Sequence, residues 1–202
     1  TKKAMIHFGK ADTPQDNDRW YGFSLYLPSD AFPADPYNVV LFQLHATPDH
    51  HLNEPWRQPI LGLSAKDGKL ISGGSYDLDE VSPKNENIIA NRESFVIGEL
   101  NNVWDQWTDF VIHARLSLEG KGLLQVWMNG ELVLDRQNIT LGYNDVVGPY
   151  PSWGIYSFNS TEPHRVVYVD EIRIGDENSN YNKVAPGRMD GTAIPNTSDK
   201  ER

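Results

Sequence analysis

Short runs of apolar residues at alternating positions recur along the chain, and Gly, Pro, Asn and Asp separate them. A period of two is that of a β-strand, whereas the 3.6-residue period of an amphipathic helix is nearly absent. The strand-length runs lie at 4–9, 20–28, 38–46, 59–74, 93–100, 106–118, 122–137, 152–158 and 164–175. Hairpin turns are expected at 66–69 and at Asn129-Gly130, whose residues tolerate positive φ. This pattern predicts an all-β fold of the sandwich or barrel type.

Most of these runs have one apolar face and one face that carries polar or aromatic side chains. In the run 38–46, Phe42 and Leu44 share the core face, and Gln43 and His45 share the opposite one. Later runs place further residues of this kind opposite the core: His113, Arg115, Gln125, Trp127 and Tyr156. A solvent-exposed sheet face is normally richer in Lys, Glu and Thr. We therefore expect one concave, carbohydrate-binding groove that contains all of these side chains.

Several cations are candidates for binding an acidic ligand. A guanidinium binds a carboxylate through two hydrogen bonds, which makes Arg57 in NEPWRQP and Arg115 the first candidates, ahead of Arg92 and Lys69. The alternative for each is a solvated surface cation. Likewise, Gln43 and His45 could be a buried polar pair whose hydrogen bonds are made by neighbouring groups.

Composition and charge narrow the function. The 202 residues are 39% hydrophobic and 11% aromatic, enough for the core of one domain. The net charge of -10 argues against nucleic acids and anionic membranes as partners, because both require a basic surface. The absence of Cys excludes disulfides and thiolate chemistry. No apolar run reaches the 18 residues that a transmembrane helix needs.

The chain is expected to hold one domain over residues 1–181, followed by a disordered tail over 182–202 that has few large apolar residues. The chain starts at Thr1 and not at Met, which a signal peptide removed from a secreted protein would explain. We therefore expect a secreted protein, extracellular or periplasmic, and a monomer.

Carboxylates provide little sign of hydrolase chemistry. A retaining glycoside hydrolase needs two close carboxylates, and neither the ExDxxE pattern nor a pair on the expected groove face is present. Asp170, in VVYVDEIRIGD, is predicted to point inward among apolar neighbours and therefore to need a partner. That partner is either a calcium ion or a set of hydrogen bonds and salt bridges.

The motifs WYGFSLYLP, VVLFQLH, PILGL, WTDFVIHARLS, GLLQVWMNG, WGIY and VYVDEIRIG follow one another between about Arg19 and Gly175. In order and spacing, this series resembles the polysaccharide lyases related to glucuronan lyase and heparin lyase I. The resemblance implies a β-jelly roll with a concave cleft that cleaves acidic polysaccharides by β-elimination. It also implies a structural calcium ion in some members, for which Asp170 is the matching residue, and no organic cofactor.

The resemblance also assigns roles. A cleft Tyr or His acts as Brønsted base and acid, here Tyr156 or His45, and Gln43, Arg115 and their neighbours neutralise the uronate carboxylate. Heparin-lyase-like members often carry a Lys four residues before the Tyr, and Ser152 occupies that position here. An unsulfated polyuronate such as glucuronan, alginate or ulvan is therefore the expected substrate. The alternative is a jelly-roll module that binds carbohydrate without cleaving it.

Overall fold

The computed structural model describes residues 2–8, 18–81, 91–162 and 164–187. Within this part of the chain there are eleven strands, as the alternating pattern predicted. They are β1 (Lys2–His7), β2 (Asp18–Tyr26), β3 (Val39–His45), β4 (Pro59–Lys66), β5 (Lys69–Asp77), β6 (Arg92–Glu99), β7 (Trp107–Arg115), β8 (Ser117–Met128), β9 (Glu131–Tyr143), β10 (Tyr150–Ser157) and β11 (Tyr168–Gly175). Short 3₁₀ turns at His50–Leu52 and Leu100–Asn102 and one α-helix, α1 (Tyr181–Val184), complete the described elements.

The strands form two antiparallel halves of one curled sheet. The first half, called sheet A here, has the order β1-β10-β3-β4-β5-β6, and the second, sheet B, has the order β11-β2-β7-β8-β9. A short parallel pairing of β5 with β9 joins the halves at Tyr76↔Gly142 and Asp77↔Tyr143. Strands that are distant in sequence are neighbours, as β1 and β10 are, so the cleft depends on long-range pairing.

The core lies between the two sheets and is rich in aromatic rings. Trp153 from β10, Phe42 from β3 and Phe23 from β2 are fully buried and contact one another, with ring centroids 5.1 to 5.9 Å apart. On β7, Phe110, Ile112 and Ala114 are buried in the same core, as the alternation predicted. Truncating one of these rings to Ala would cost about 3–5 kcal/mol of folding free energy.

Both predicted hairpin turns are present. Asp67 and Gly68 have φ angles of 51° and 73°, and Asn129 and Gly130 have φ angles of 49° and 86°. Two consecutive positive φ angles define the type I′ turn, whose twist matches that of the flanking strands. The registers β4–β5 and β8–β9 are therefore fixed locally by the chain itself.

Two glycines shape the concave side of sheet A. A Cβ on Gly73 of β5 would lie 2.0 Å from the carbonyl oxygen of Glu93, so only glycine allows β6 to fold this closely over β5. On β10, Gly154 has a φ of 137° and a Cβ there would lie 2.1 Å from the carbonyl oxygen of Ala4. The register with β3 shifts between Trp153 and Tyr156, and such a β-bulge changes the direction of the side chain that follows it.

The disordered tail was predicted to begin at residue 182, which lies inside helix α1. Helix α1 ends at Val184, which is buried against Gly22 of β2 on the outer face of sheet B. The structure therefore continues past residue 182, because the side chain of Val184 is buried and its backbone carbonyl occupies the space next to Gly22 that a Cβ would fill. Residues 188–202 lie outside the described part of the chain, so the prediction for them stays a prediction. No described helix has the length and apolarity required to cross a bilayer.

Candidate active site

A row of residues in register forms the floor of a groove that runs across sheet A. From β1 to β6 the paired residues are His7, Ser152, Gln43, Gly62, Gly73 and Ser94. Because this row contains glycines and serines, the larger residues of the neighbouring rows rise beside it. Tyr150 and His45, which pair with each other, form one wall, and Tyr156 and Val40 form part of the other.

One part of this groove is a cavity of about 230 Å³ whose lining includes Gln43, Arg92, Tyr156, Tyr37 and Phe158. Gln43 is 1% exposed, and its Oε1 has no hydrogen-bond partner among the described residues. A buried amide oxygen without a partner costs free energy, so this atom is placed to receive a donor from a bound molecule. The structure thus brings together three residues that the sequence proposed: Gln43, Arg92 and Tyr156.

The groove is positively charged in an acidic protein. Lys3 lies over the ring of Tyr156, with its Nζ 5.8 Å from the ring centroid, and Arg92 lines the cavity. Within the described residues, no carboxylate lies within ion-pair distance of either cation. Several exposed cations elsewhere do have such partners, as Lys121 has in Glu119 at 2.7 Å. The arrangement leaves positive charge available to an anionic ligand.

His45 is held in a defined tautomer. Its Nδ1 is 2.8 Å from the carbonyl oxygen of Ala46. A carbonyl can only accept a hydrogen bond, so Nδ1 carries the proton and Nε2 is the atom able to accept one. Burial lowers the pKa of His45, and the charges of Lys3 and His7 lower it further, against the hydrogen bond to Ala46. His45 is therefore neutral near pH 7 and suited to act as a base.

His7 is a candidate that the sequence reasoning missed. It belongs to β1, and its Nδ1 lies 2.7 Å from the Oγ of Ser152 on the groove floor. Burial lowers the pKa of His7 and the nearby charge of Lys3 lowers it further, so His7 is also a potential base. The sequence contained His7 in a predicted strand, but only the long-range pairing of β1 with β10 places it in the groove.

The hydroxyl of Tyr156 carries its proton and is therefore suited to act as an acid and not as a base. Burial raises the pKa of the Tyr156 hydroxyl above its usual value of about 10, so the hydroxyl is protonated at neutral pH. A tyrosine that acts as a base would need a lowered pKa. Tyr156 is therefore suited to donate a proton, and His45 and His7 are suited to accept one.

The prediction that one groove contains all of the polar and aromatic residues opposite the core is wrong for four of them. His113, Arg115, Gln125 and Trp127 lie on the outer face of sheet B, because β7 and β8 belong to that sheet. His113 there contacts Asp18 and the Oε1 of Gln125, and its ring stacks on Trp20 at 3.7 Å. Arg115 Nη1 is 3.8 Å from Asp18 Oδ2. The alternation predicted correctly that these residues point away from the core. Each of the two sheets has a face that points away from the core, however, and these residues lie on that of sheet B.

Arg57 and Lys69 are also not in the groove. Arg57 is 3% exposed, and its guanidinium contacts Glu54 and lies 3.0 Å from Asp145 and 3.8 Å from Asp77. Arg57 thereby connects the loop before β4 to Asp77 and Asp145, and its buried guanidinium is not accessible to a substrate. Lys69 is at the β4–β5 hairpin and pairs with Glu99.

Asp170, the carboxylate that was expected to bind calcium, does not point inward as the sequence predicted. Asp170 is exposed, and its Oδ1 accepts a hydrogen bond of 2.8 Å from the backbone N–H of Glu171. Val167 and Val169 pack against the core, so the strand alternation places Asp170 on the opposite, outer face.

Three other carboxylates form a cluster that could hold a cation. Asp49, Glu54 and Asp145 are buried, and one oxygen of each lies within 4.8 Å of the others. Burial raises the pKa of Asp145 to about 7, the positive charge of Arg57 opposes this, and the negative charges of Glu54 and Asp49 add to it. The negative charge exceeds what one guanidinium neutralises. Carboxylate oxygens are the ligands that Ca²⁺ prefers, so the donor set fits this ion.

A second cavity, of about 300 Å³, lies between β5, β6 and β9. The exposed Arg136–Glu93 ion pair, at 3.2 Å, and the ring of Phe95 under Arg136 line it. Its one lining cation is thus already paired. The smaller cavity contains Arg92, Tyr156 and the buried amide oxygen of Gln43, and it is therefore the candidate active site.

A model of the polysaccharide lyase family matches residues 4–173 of the chain. The chain belongs to this family. As a polysaccharide lyase, it is an enzyme that cleaves a polysaccharide by elimination, and the groove across sheet A is the part of the fold suited to an extended sugar chain. A comparison with curated proteins finds no match.

Solved structures are similar to this lyase in fold. The endo-β-1,4-glucuronan lyase of the fungus Trichoderma reesei has a TM-score of 0.74 at 16% identity, over 91% of this chain and 76% of that one. This similarity confirms the predicted jelly roll. The binding domain of botulinum neurotoxin serotype G has a TM-score of 0.55 at 12% identity. That of serotype D, in complex with N-acetylneuraminic acid, has 0.57 at 9%. Each covers 89% of this chain, which spans 38% of either toxin chain.

Proposed function

We propose that this lyase cleaves an unsulfated, uronate-containing polysaccharide such as glucuronan, alginate or ulvan. The observation that carries the proposal is the unpaired positive charge of Lys3 and Arg92 in the groove of a protein whose net charge is -10. A polyanion is attracted to such a groove and repelled by most of the remaining surface. The fold similarity to a glucuronan lyase supports the same substrate class.

The proposed reaction is a β-elimination on one uronate. A base removes the C5 proton, the C5 electron pair forms the C4=C5 double bond, and the bond from C4 to the bridging oxygen breaks. The carboxylate at C5 must be neutralised, because its charge opposes the developing enolate. Arg92 supplies a charge and Gln43 an amide for this purpose, since both line the cavity. This replaces Arg57 and Arg115, which the sequence favoured.

The proton donor in this proposal is Tyr156. Its hydroxyl is protonated at neutral pH because burial raises its pKa, so it can protonate the departing oxygen at C4. The base is a neutral histidine of the groove, His45 through Nε2 or His7.

We further propose a structural calcium ion bound by Asp49, Glu54 and Asp145. Such an ion would offset the excess negative charge around Arg57 and fix the loop that precedes β4. Adding EDTA should then lower the melting temperature, and Ca²⁺ should restore it. Secretion and a monomeric state remain proposals from the sequence.

The second candidate function is carbohydrate binding without cleavage. The fold similarity to neurotoxin binding domains, one of them in complex with N-acetylneuraminic acid, favours it. The groove differs from a simple binding platform because it contains two neutral histidines and a protonated tyrosine, which can accept and donate a proton. The family to which the chain belongs is also one of lyases.

One experiment separates the two functions. The protein is incubated with glucuronan, alginate, ulvan and heparin, and the unsaturated product is followed by its ultraviolet absorbance. We expect turnover with an unsulfated polyuronate, at least a hundredfold loss in Tyr156→Phe, and no loss in the control Tyr168→Phe, an exposed tyrosine on sheet B. Saturable binding without any absorbance change would support the binding module. Turnover of heparin alone would contradict the proposed substrate class.

A further inference from the structure

Trp56 is the most exposed of the six tryptophans, with 63% of its surface accessible. It lies three residues before β4, beside the wall of the groove. Its ring contacts His45 edge-on, with the centroids 5.7 Å apart, and His50 in the same manner at 5.9 Å. Folding alone does not favour an apolar ring with this much of its surface in water.

The backbone that carries Trp56 is anchored on both sides. Arg57, the next residue, is buried among carboxylates, and Glu54, two residues before, is fully buried and accepts a hydrogen bond of 2.8 Å from Asp49 N–H. Pro55 between them restricts the backbone further. Trp56 is thus an exposed ring on a fixed support, which lowers the entropic cost of binding a ligand with it.

The rings next to Trp56 connect it to the groove. His45 stacks on Tyr150 with centroids 5.4 Å apart and an interplanar angle of 19°. Tyr150, His45 and Trp56 therefore follow one another from the wall of the groove to its rim. A polysaccharide lying across Gln43 would meet these rings on leaving the cavity.

We propose that Trp56 is a sugar-binding platform that stacks on a uronate ring outside the reacting position. The hydrophobic C–H face of a pyranose matches an indole face, and this contact requires no charge. The inference rests on the proposed polyuronate substrate and adds to it a subsite. Trp56 then sets the preferred length of substrate and makes no contribution to the elimination step itself.

The test measures binding and turnover as a function of chain length. Trp56→Ala and Trp56→Phe are compared with Trp107→Ala, which removes a 38% exposed tryptophan from sheet B. Dissociation constants are measured by calorimetry in the Tyr156→Phe background, with hexasaccharides and disaccharides of glucuronan, alginate and ulvan. We expect Trp56→Ala to weaken hexasaccharide binding by about tenfold, and Trp56→Phe by less, as for loss of one stacking contact.

In the active enzyme, Trp56→Ala should raise KM for the polymer by a similar factor and leave kcat within about twofold, because the platform does not touch the reacting atoms. Disaccharide binding and the Trp107→Ala control should not change. Hexasaccharide affinity unchanged in Trp56→Ala, while the wild type cleaves the same polymer, overturns the platform and leaves the proposed function intact. A wild type that neither binds nor cleaves any of the three polymers overturns both.

Discussion

Arg57 lies at the centre of the buried charge cluster beside the groove, and replacing it with methionine tests whether it is structural. The side chain is 1% exposed and faces Glu54, Asp145 and Asp77. Methionine retains most of the volume but leaves several carboxylates without their cation. Removing one partner of a buried ion pair costs about 3–5 kcal/mol. In a chain of this length, that corresponds to a melting temperature lower by roughly 6–20 °C.

The assay is thermal unfolding followed by circular dichroism, with EDTA present so that a bound cation does not mask the effect. Lys69→Met is the matched control, because its ion pair with Glu99 is exposed and contributes at most about 1 kcal/mol. The double variant Arg57→Met/Asp145→Asn should recover part of the loss, since it removes one of the unpaired carboxylates. A single variant within 1 kcal/mol of the wild type would refute the reasoning. So would a tenfold rise in KM at unchanged stability, which would return Arg57 to the substrate site.

Three further predictions concern pH and packing. The pKa of Asp145 is about 7 when folded and about 3.8 when unfolded, so the folded state binds its proton more tightly. Without Ca²⁺, this group's contribution to the free energy of unfolding is full below pH 4 and is lost as pH rises through 7, which urea titrations measure. Burial opposes the ionisation of Asp35, yet hydrogen bonds from backbone N–H groups, Arg165 and hydroxyls hold its pKa below its usual range. Asp35 should therefore contribute stability that is present above pH 4 and lost as pH falls further, and Asp35→Asn should abolish that dependence. Gly154→Ala should displace β1, because the added Cβ meets the carbonyl oxygen of Ala4, and should lower kcat far more than the exposed-turn control Gly68→Ala.

The alternation of apolar and polar residues was sufficient to predict most strands, both hairpins and the inward faces. This worked because strand periodicity and type I′ turns are local properties. Gln43 and His45 were placed correctly for the same reason, since Phe42 and Leu44 are both in the core. The prediction for Asp170 was wrong because Val167 and Val169 are the residues that face the core, which leaves Asp170 on the outer face between apolar neighbours in sequence but not in space.

The sequence by itself determined an all-β fold with residue types suited to binding an acidic sugar, and its resemblance to polysaccharide lyases indicated the family that the family model shows. Only the tertiary structure decided which of those residues share a surface. A jelly roll has two sheets and therefore two faces away from the core, so the alternation that separates inside from outside cannot say which outer face is concave. Pairing of β1 with β10 brought His7 to the groove, and pairing of β7 and β8 with β2 took His113 and Arg115 away from it. These contacts join residues that are distant in sequence, and no local pattern encodes them.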